Sequence, residues 1–250
     1  MTLRAAAWRA ASALRLSALV AALALIAPTV TWAEEYSQDS HFDAVLQLFD
    51  PSIYDCYYRP AGDLAPYPDI VVAPSSSVPD IATGIAAAAN NPLADANLDG
   101  VISICVEPGT YTGPLSFVMS DFEAPLWVWS SQGPTATSIS APSYPSSFLH
   151  LVQVGRGLGT LPPLTSLWED HLVLRGFTVA GGPTIQGGTV GGAGLRVHAG
   201  LRVKVGGSDF VGHHSVNDGG TVHVEGSDLR LYAVSIALSS SQAGGGGRSR

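Results

Sequence analysis

The chain is poor in charge. Asp, Glu, Lys and Arg together make up 13% of its 250 residues, against roughly 25% in ordinary globular domains. Long amphipathic helices are nearly absent, so an all-helical fold has little to draw on. Basic residues are scarcest toward the front: from Glu34 to Glu123 fourteen acidic side chains face Arg59 alone. A duplex nucleic acid is therefore not an expected partner, because phosphate binding needs a basic footprint that this acidic stretch opposes. The acidic front reads instead as a solubilising surface. Cysteine is limited to Cys56 and Cys105. Long apolar runs are limited to one, near the start, so no membrane-spanning segment is expected after it.

That one run belongs to processing sequence. Arg4, Arg9 and Arg15 precede an apolar stretch from Leu16 to Ile26, and Thr31-Trp32-Ala33 supplies small residues at the two positions a signal peptidase reads. The stretch is shorter than the roughly 20 apolar residues of a spanning helix. Cleavage is expected between Ala33 and Glu34, giving a secreted, cell-surface or periplasmic protein. The mature chain keeps 9 basic against 20 acidic residues, a formal charge of −11. An oxidising compartment permits a Cys56–Cys105 disulfide, with two buried thiols as the alternative.

What the chain has in quantity is glycine, proline and short alternating apolar runs, with 28 glycines and 17 prolines. Leu172-Val173-Leu174 aligns with Leu201-Arg202-Val203 and Leu229-Arg230-Leu231, at steps of about 29 and 28 residues, within the range of solenoid repeats. Gly191-Gly192, Gly219-Gly220 and Gly244-Gly245 mark corners. Side chains alternate along a strand, so leucines and valines should fill a continuous core while Arg202, Lys204 and Arg230 point away from it. Asp69 to Pro74 reads as a first strand. Ser77, with Asp80 three residues on, offers a helix N-cap. Val78, Ile81, Ile85, Ala88 and Ala89 then return at helical spacing, a stripe suited to covering the open end of a stack of coils. Trp127-Val128-Trp129 reads as a strand, and the segments around Pro142 and Pro162 as loops.

The strand ending Val72-Ala73-Pro74, the alanine-rich helix, Asp99-Gly100-Val101-Ile102-Ser103-Ile104 and Pro108-Gly109-Thr110-Tyr111-Thr112-Gly113-Pro114-Leu115 together resemble the amino-terminal coil of right-handed parallel β-helix proteins of the pectin-lyase-like superfamily. The resemblance covers residues 69 to 243 and implies an all-β right-handed parallel β-helix with a short N-terminal capping helix. Residues 1–33 are then the signal peptide, 34–68 an irregular lead-in, 69–243 the β-helix, and 244–250 a tail that is flexible or cut short. The enzymes of this superfamily imply either calcium-assisted lyase chemistry with an arginine base or hydrolysis by clustered carboxylates. The carboxylate motifs of those hydrolases are missing here, and Gly212-His213-His214 only echoes their histidine motif. Inverting hydrolysis needs two carboxyls roughly 6.5–9.5 Å apart, and Asp209 and Asp218 could approach each other on adjacent parts of a coil.

Three further groups bear on chemistry. Asp95-Ala96-Asn97-Leu98-Asp99-Gly100 has the opening spacing of a calcium loop. Its twelfth position is Val106 rather than a bidentate acid, so it reads as an Asx-rich turn and no cofactor is expected. His198, His213, His214 and His223 gather late in the chain, but their spacing matches no compact metal motif, and solvent-facing positions are expected. Tyr54, Tyr57 and Tyr58 read as residues packed at the core's edge. Arg175, Arg202, Lys204 and Arg230 should share one outer face, either as a solubilising surface or as a strip that binds an acidic polysaccharide or another cell-surface component. The chain is expected to be a non-catalytic extracellular module. A polysaccharide lyase or hydrolase, and the front piece of a larger adhesin, are the alternatives.

Overall fold

The computed structural model describes residues 56–57, 68–96, 98, 100–140, 150–165, 169–181, 193–215 and 220–241. All belong to the unit Asp43–Arg250. The expected signal peptide and cleavage position, Tyr54, Tyr58, Asn97, Asp99, Asp218, most of the corner glycines and the tail lie outside them. Among the described residues no helix is long and apolar enough to cross a membrane.

The described chain is mostly strand, with one α-helix and one turn of 3₁₀ helix (Met119–Asp121). β1 (Ile70–Val72) precedes helix α1 (Ile81–Ala88), and the strands then come in rounds. The first round is β2 (Ile102–Val106), β3 (Gly109–Thr112) and β4 (Leu115–Val118), and the second is β5 (Leu126–Ser130), β6 (Thr137–Ser140) and β7 (Val152–Gly155). The third is β8 (Leu172–Arg175), β9 (Thr178–Ala180) and β10 (Leu195–His198). The fourth is β11 (Arg202–Gly206), β12 (Asp209–Val211), β13 (His214–Ser215) and β14 (Val222–Glu225). Last come β15 (Asp228–Tyr232), β16 (Ser235–Ala237) and β17 (Ser240–Ser241).

Each round visits the same three sheets in turn. Sheet A has the order β1-β2-β5-β8-β11-β15, sheet B β16-β12-β9-β6-β3, and sheet C β14-β10-β7-β4, while β13 and β17 form a separate pair. Every strand pairing is parallel. Stacked parallel sheets revisited in rotation fit a β-helix-like solenoid.

Alternation builds the core. In sheet A, Ile104, Val128, Leu174, Val205 and Leu231 lie in one ladder. In sheet B, Tyr111, Ile139, Val179, Phe210 and Ile236 do the same, and in sheet C so do Phe117, Val154, Val197 and Val224. The buried members of these ladders lie in one apolar cluster, which also takes in a second inward ladder of sheet A, Ile102, Leu126, Leu172 and Val203. The turn from sheet A to sheet B repeats a left-handed residue: Gly176 has φ 75°, Gly207 φ 51° and Ala233 φ 49°. Glycine reaches that region without the Cβ clash that Ala233 must carry.

Helix α1 starts later than Ser77. Asp80 is its N-cap, and the carboxylate accepts from the Thr83 N–H at 2.7 Å. Ser76 instead bonds Ala73 O and Val78 O in the preceding turn. The helix buries Ile81, Gly84, Ile85 and Ala88 and packs on β1, β2 and β4. A Cβ at Gly84 would come within 2.8 Å of Val72 Cγ2, so the missing side chain is what lets the helix lie against β1.

Candidate functional site

Sheet A carries the four basic residues singled out in the sequence, and its register brings them to one face. Lys204 pairs with Arg230, Arg202 with Asp228, and Gly206 with both Arg175 and Tyr232. The expectation of a shared solvent-facing strip fails, because most of this face is covered. Lys204 is fully buried and Arg175 is 2% exposed, alongside Cys105, Trp127, Trp129 and Val173. Arg202 stays exposed, and the Arg230 side chain keeps about a quarter of its surface. Two segments explain the difference. Cys56 is joined to Cys105 of β2, with Cα atoms 5.5 Å apart, and Asp170 and His171 come up just before β8.

Asp170 is the counter-charge of this face. It is 1% exposed, its Oδ1 accepts a hydrogen bond from Arg230 Nη2, and Lys204 Nζ lies 3.7 Å from its Oδ2. The same ammonium stands 5.4 Å from the centroid of the Tyr232 ring, a cation–π arrangement. His171 Nδ1 accepts from the Arg202 N–H at 3.0 Å. Burial, and then the Arg202 charge, hold the His171 pKa below its ordinary value. A carboxylate flanked by two cations and closed off from water is built to hold chain segments together, and it leaves Lys204 no surface for a polysaccharide.

The face with open polar groups is the outward side of sheet C. Ser116, Gln153, Arg196 and His223 stand in register across β4, β7, β10 and β14, and two residues on Val118 pairs with Gly155 and His198 with Glu225. Arg196 Nη2 lies 3.4 Å from Glu225 Oε2, a carboxylate whose side chain is 65% exposed. Gln153 Nε2 lies 3.3 Å from His198 Nε2. The imidazole lies over β7: a Cβ at Gly155 would come within 2.7 Å of His198 Nε2. Partial burial lowers the His198 pKa and the Arg196 charge adds to the effect, while Glu225 opposes it. Chemically the face offers a guanidinium, an amide and two imidazoles. Among the described residues of these strands Glu225 is the single carboxylate, so the pair that glycoside hydrolysis requires is not assembled on it.

The sequence did hold a signal for this face. Val152-Gln153-Val154, Leu195-Arg196-Val197-His198 and Val222-His223-Val224-Glu225 share one apolar/polar alternation, but the step from the first to the second is 43 residues and from the second to the third 27, so no constant period marks them.

The remaining candidates scatter. His214 Nδ1 meets Ser240 Oγ at 2.8 Å on an exposed pair of strands. His213 corrects the expectation of a solvent-facing ring: it is fully buried, and its Nε2 donates to Val179 O at 2.9 Å. The turn after β12 feeds it inward instead of outward. Among the described residues no three His, Cys, Asp or Glu side chains converge as a metal site. Asp95 Oδ2 accepts from the Gly100 N–H at 3.0 Å, five residues on. Tyr57 is 73% exposed instead of packed against the core. Asp209 lies on β12 in sheet B. No family model, no curated protein and no solved structure matches the chain.

Proposed function

We propose that the chain is a right-handed parallel β-helix module of the pectin-lyase-like kind, exported from the cell, that binds acidic polysaccharide without cleaving it, and that the binding face is sheet C rather than sheet A. The observation that carries this reading is the in-register ladder Gln153–Arg196–His223 beside His198 and Glu225. Parallel strands are spaced about 4.8 Å apart, so these groups form a row along the stack. A polymer carrying carboxylates and hydroxyls can run along such a row. Arg196 already holds a carboxylate, that of Glu225, in an exposed pair worth on the order of 0–1 kcal/mol. A uronate can take that place at little cost. Glu225, the lone carboxylate among the described residues of these strands, favours binding over hydrolysis.

The test is retention on immobilised polygalacturonate at low salt, with the eluate monitored for reducing ends and for unsaturated products absorbing in the ultraviolet. Arg196→Ser should weaken retention by about tenfold, the loss of one charge-assisted contact, while Arg202→Ser leaves it unchanged. Equal retention of the Arg196→Ser variant sinks this reading. Release of cleavage products supports the enzymatic alternative instead.

A further inference from the structure

The last round of strands presents an apolar edge that the earlier rounds do not. β14, β15 and β16 are each the terminal strand of their sheet among the described residues. Their core-facing side chains stay partly open: Leu231 is 42% exposed and Ile236 47%, and Leu238 just beyond β16 is 79% exposed. Val222, Val224 and Leu229 are only partly buried. The equivalent positions one round earlier, Val205 and Phe210, are fully buried. At the opposite end, helix α1 packs over β1, β2 and β4.

We infer that this edge is a self-association surface, at which two copies meet end to end about a twofold axis. The chain orders these edges symmetrically about Arg230. β14 and β16 flank β15 at equal distance, each across a two-residue turn, 226–227 and 233–234. A twofold axis through the middle of β15 sets β15 antiparallel to its copy and β14 against the partner's β16. In that register Leu229 faces the partner's Leu231, Val224 faces the partner's Ile236, and Val222 faces the partner's Leu238. The three most open apolar side chains each meet a partly buried one.

Charge follows the same symmetry. Arg230 meets the partner's Arg230 across the axis, but each is held by the carboxylate of its own Asp170. Asp228 stands diagonal to the partner's Arg230, within reach of long side chains in an antiparallel pair. Two such diagonals form per dimer. Strand edges that are terminal among the described residues also gain backbone hydrogen bonds in such a pairing. At the opposite end α1 packs on the terminal strands of sheets A and C, so a head-to-tail contact would find two of its three edges covered, whereas the twofold contact closes at two copies.

Sedimentation of the purified protein across the micromolar range tests this. A reversible shift from monomer to dimer is expected. Ile236→Lys, which sets a charge against the partner's Val224 on both sides of the axis, should raise the dissociation constant at least about tenfold. Its circular dichroism should stay unchanged. The double variant Leu229→Cys/Leu231→Cys should cross-link covalently into dimers under mild oxidation. A protein that stays monomeric throughout overturns the proposal and points to another occupant, such as a further stretch of chain or an unrelated partner. Open-ended growth, or a dimer that the double variant does not cross-link, overturns the twofold register. Polygalacturonate retention is read separately, so a monomer that still binds leaves the sheet C reading standing.

Discussion

Lys204 shows why a strip of alternating charges was legible in the sequence and its purpose was not. Period-two alternation sends Lys204 away from the core ladder of Val203 and Val205, and the register agrees. Burial is decided elsewhere, by Asp170 arriving from a distant part of the chain. Local pattern carries no information about such a cover. Breaking a buried ion pair by deleting one partner leaves charge stranded and typically costs about 3–5 kcal/mol. Asp170→Ala should therefore lower stability by about 3 kcal/mol or more in urea unfolding, whereas Arg202→Ala, at an exposed position, should change it by less than about 0.5 kcal/mol. Three histidines add a pH dependence at the same scale. His171, His198 and His213 are all held below their ordinary value, chiefly by burial. The unfolded chain therefore binds more protons as pH falls below about 6.5. Stability is full above that pH and declines beneath it. The urea midpoint should drop between pH 7 and pH 5.5, and His213→Gln should flatten part of that slope.

Single elements were the most readable part of the molecule. β5, β8, β11 and β15 fall where alternating apolar runs were found, because an enclosed ladder needs an apolar residue at every second position. Helix α1 also falls where its stripe lies, but its start was misread by three residues. Ser77 and Asp80 are both good caps by type. The tight turn held by Ser76 decides between them. Asp80→Ala should cost about 1 kcal/mol, the usual price of a lost N-cap, and Ser77→Ala should be silent in the same thermal melt. The turn between sheets A and B makes an opposite prediction. Ala233 sits at φ 49° where the earlier rounds place glycines. Relief of the Cβ clash outweighs the extra freedom that glycine gives the unfolded chain. Ala233→Gly should therefore stabilise the protein by about 0.5–1 kcal/mol, read as a raised melting temperature.

At the scale of the whole molecule, the rotation of strands through three sheets was foreshadowed by steps of about 28 residues, since a constant step is what stacking requires. The layer over sheet A was legible only in part: the Cys56–Cys105 link was expected and is present, whereas the cover by Asp170 was not, because Asp170 lies in a stretch without periodicity. Their effect is global. The Cys56–Cys105 link spans 49 residues of sequence, and closing a loop of that size removes on the order of 4 kcal/mol of unfolded-chain entropy. Cys56→Ser/Cys105→Ser should lose about 2–4 kcal/mol of stability. Adding a reductant to the unaltered protein should produce the same shift in the unfolding midpoint.

The corners of the fold are unequal. Sheets A and B are joined by two residues in four of the rounds, at 107–108, 176–177, 207–208 and 233–234, whereas the passage from sheet B to sheet C runs from 113–114 in one round to 141–151 and 181–194 in others. The strands on either side keep their pairing throughout. That corner already accommodates inserts of very different size, so it is the natural place to graft a foreign epitope or fluorescent tag and leave the scaffold undisturbed.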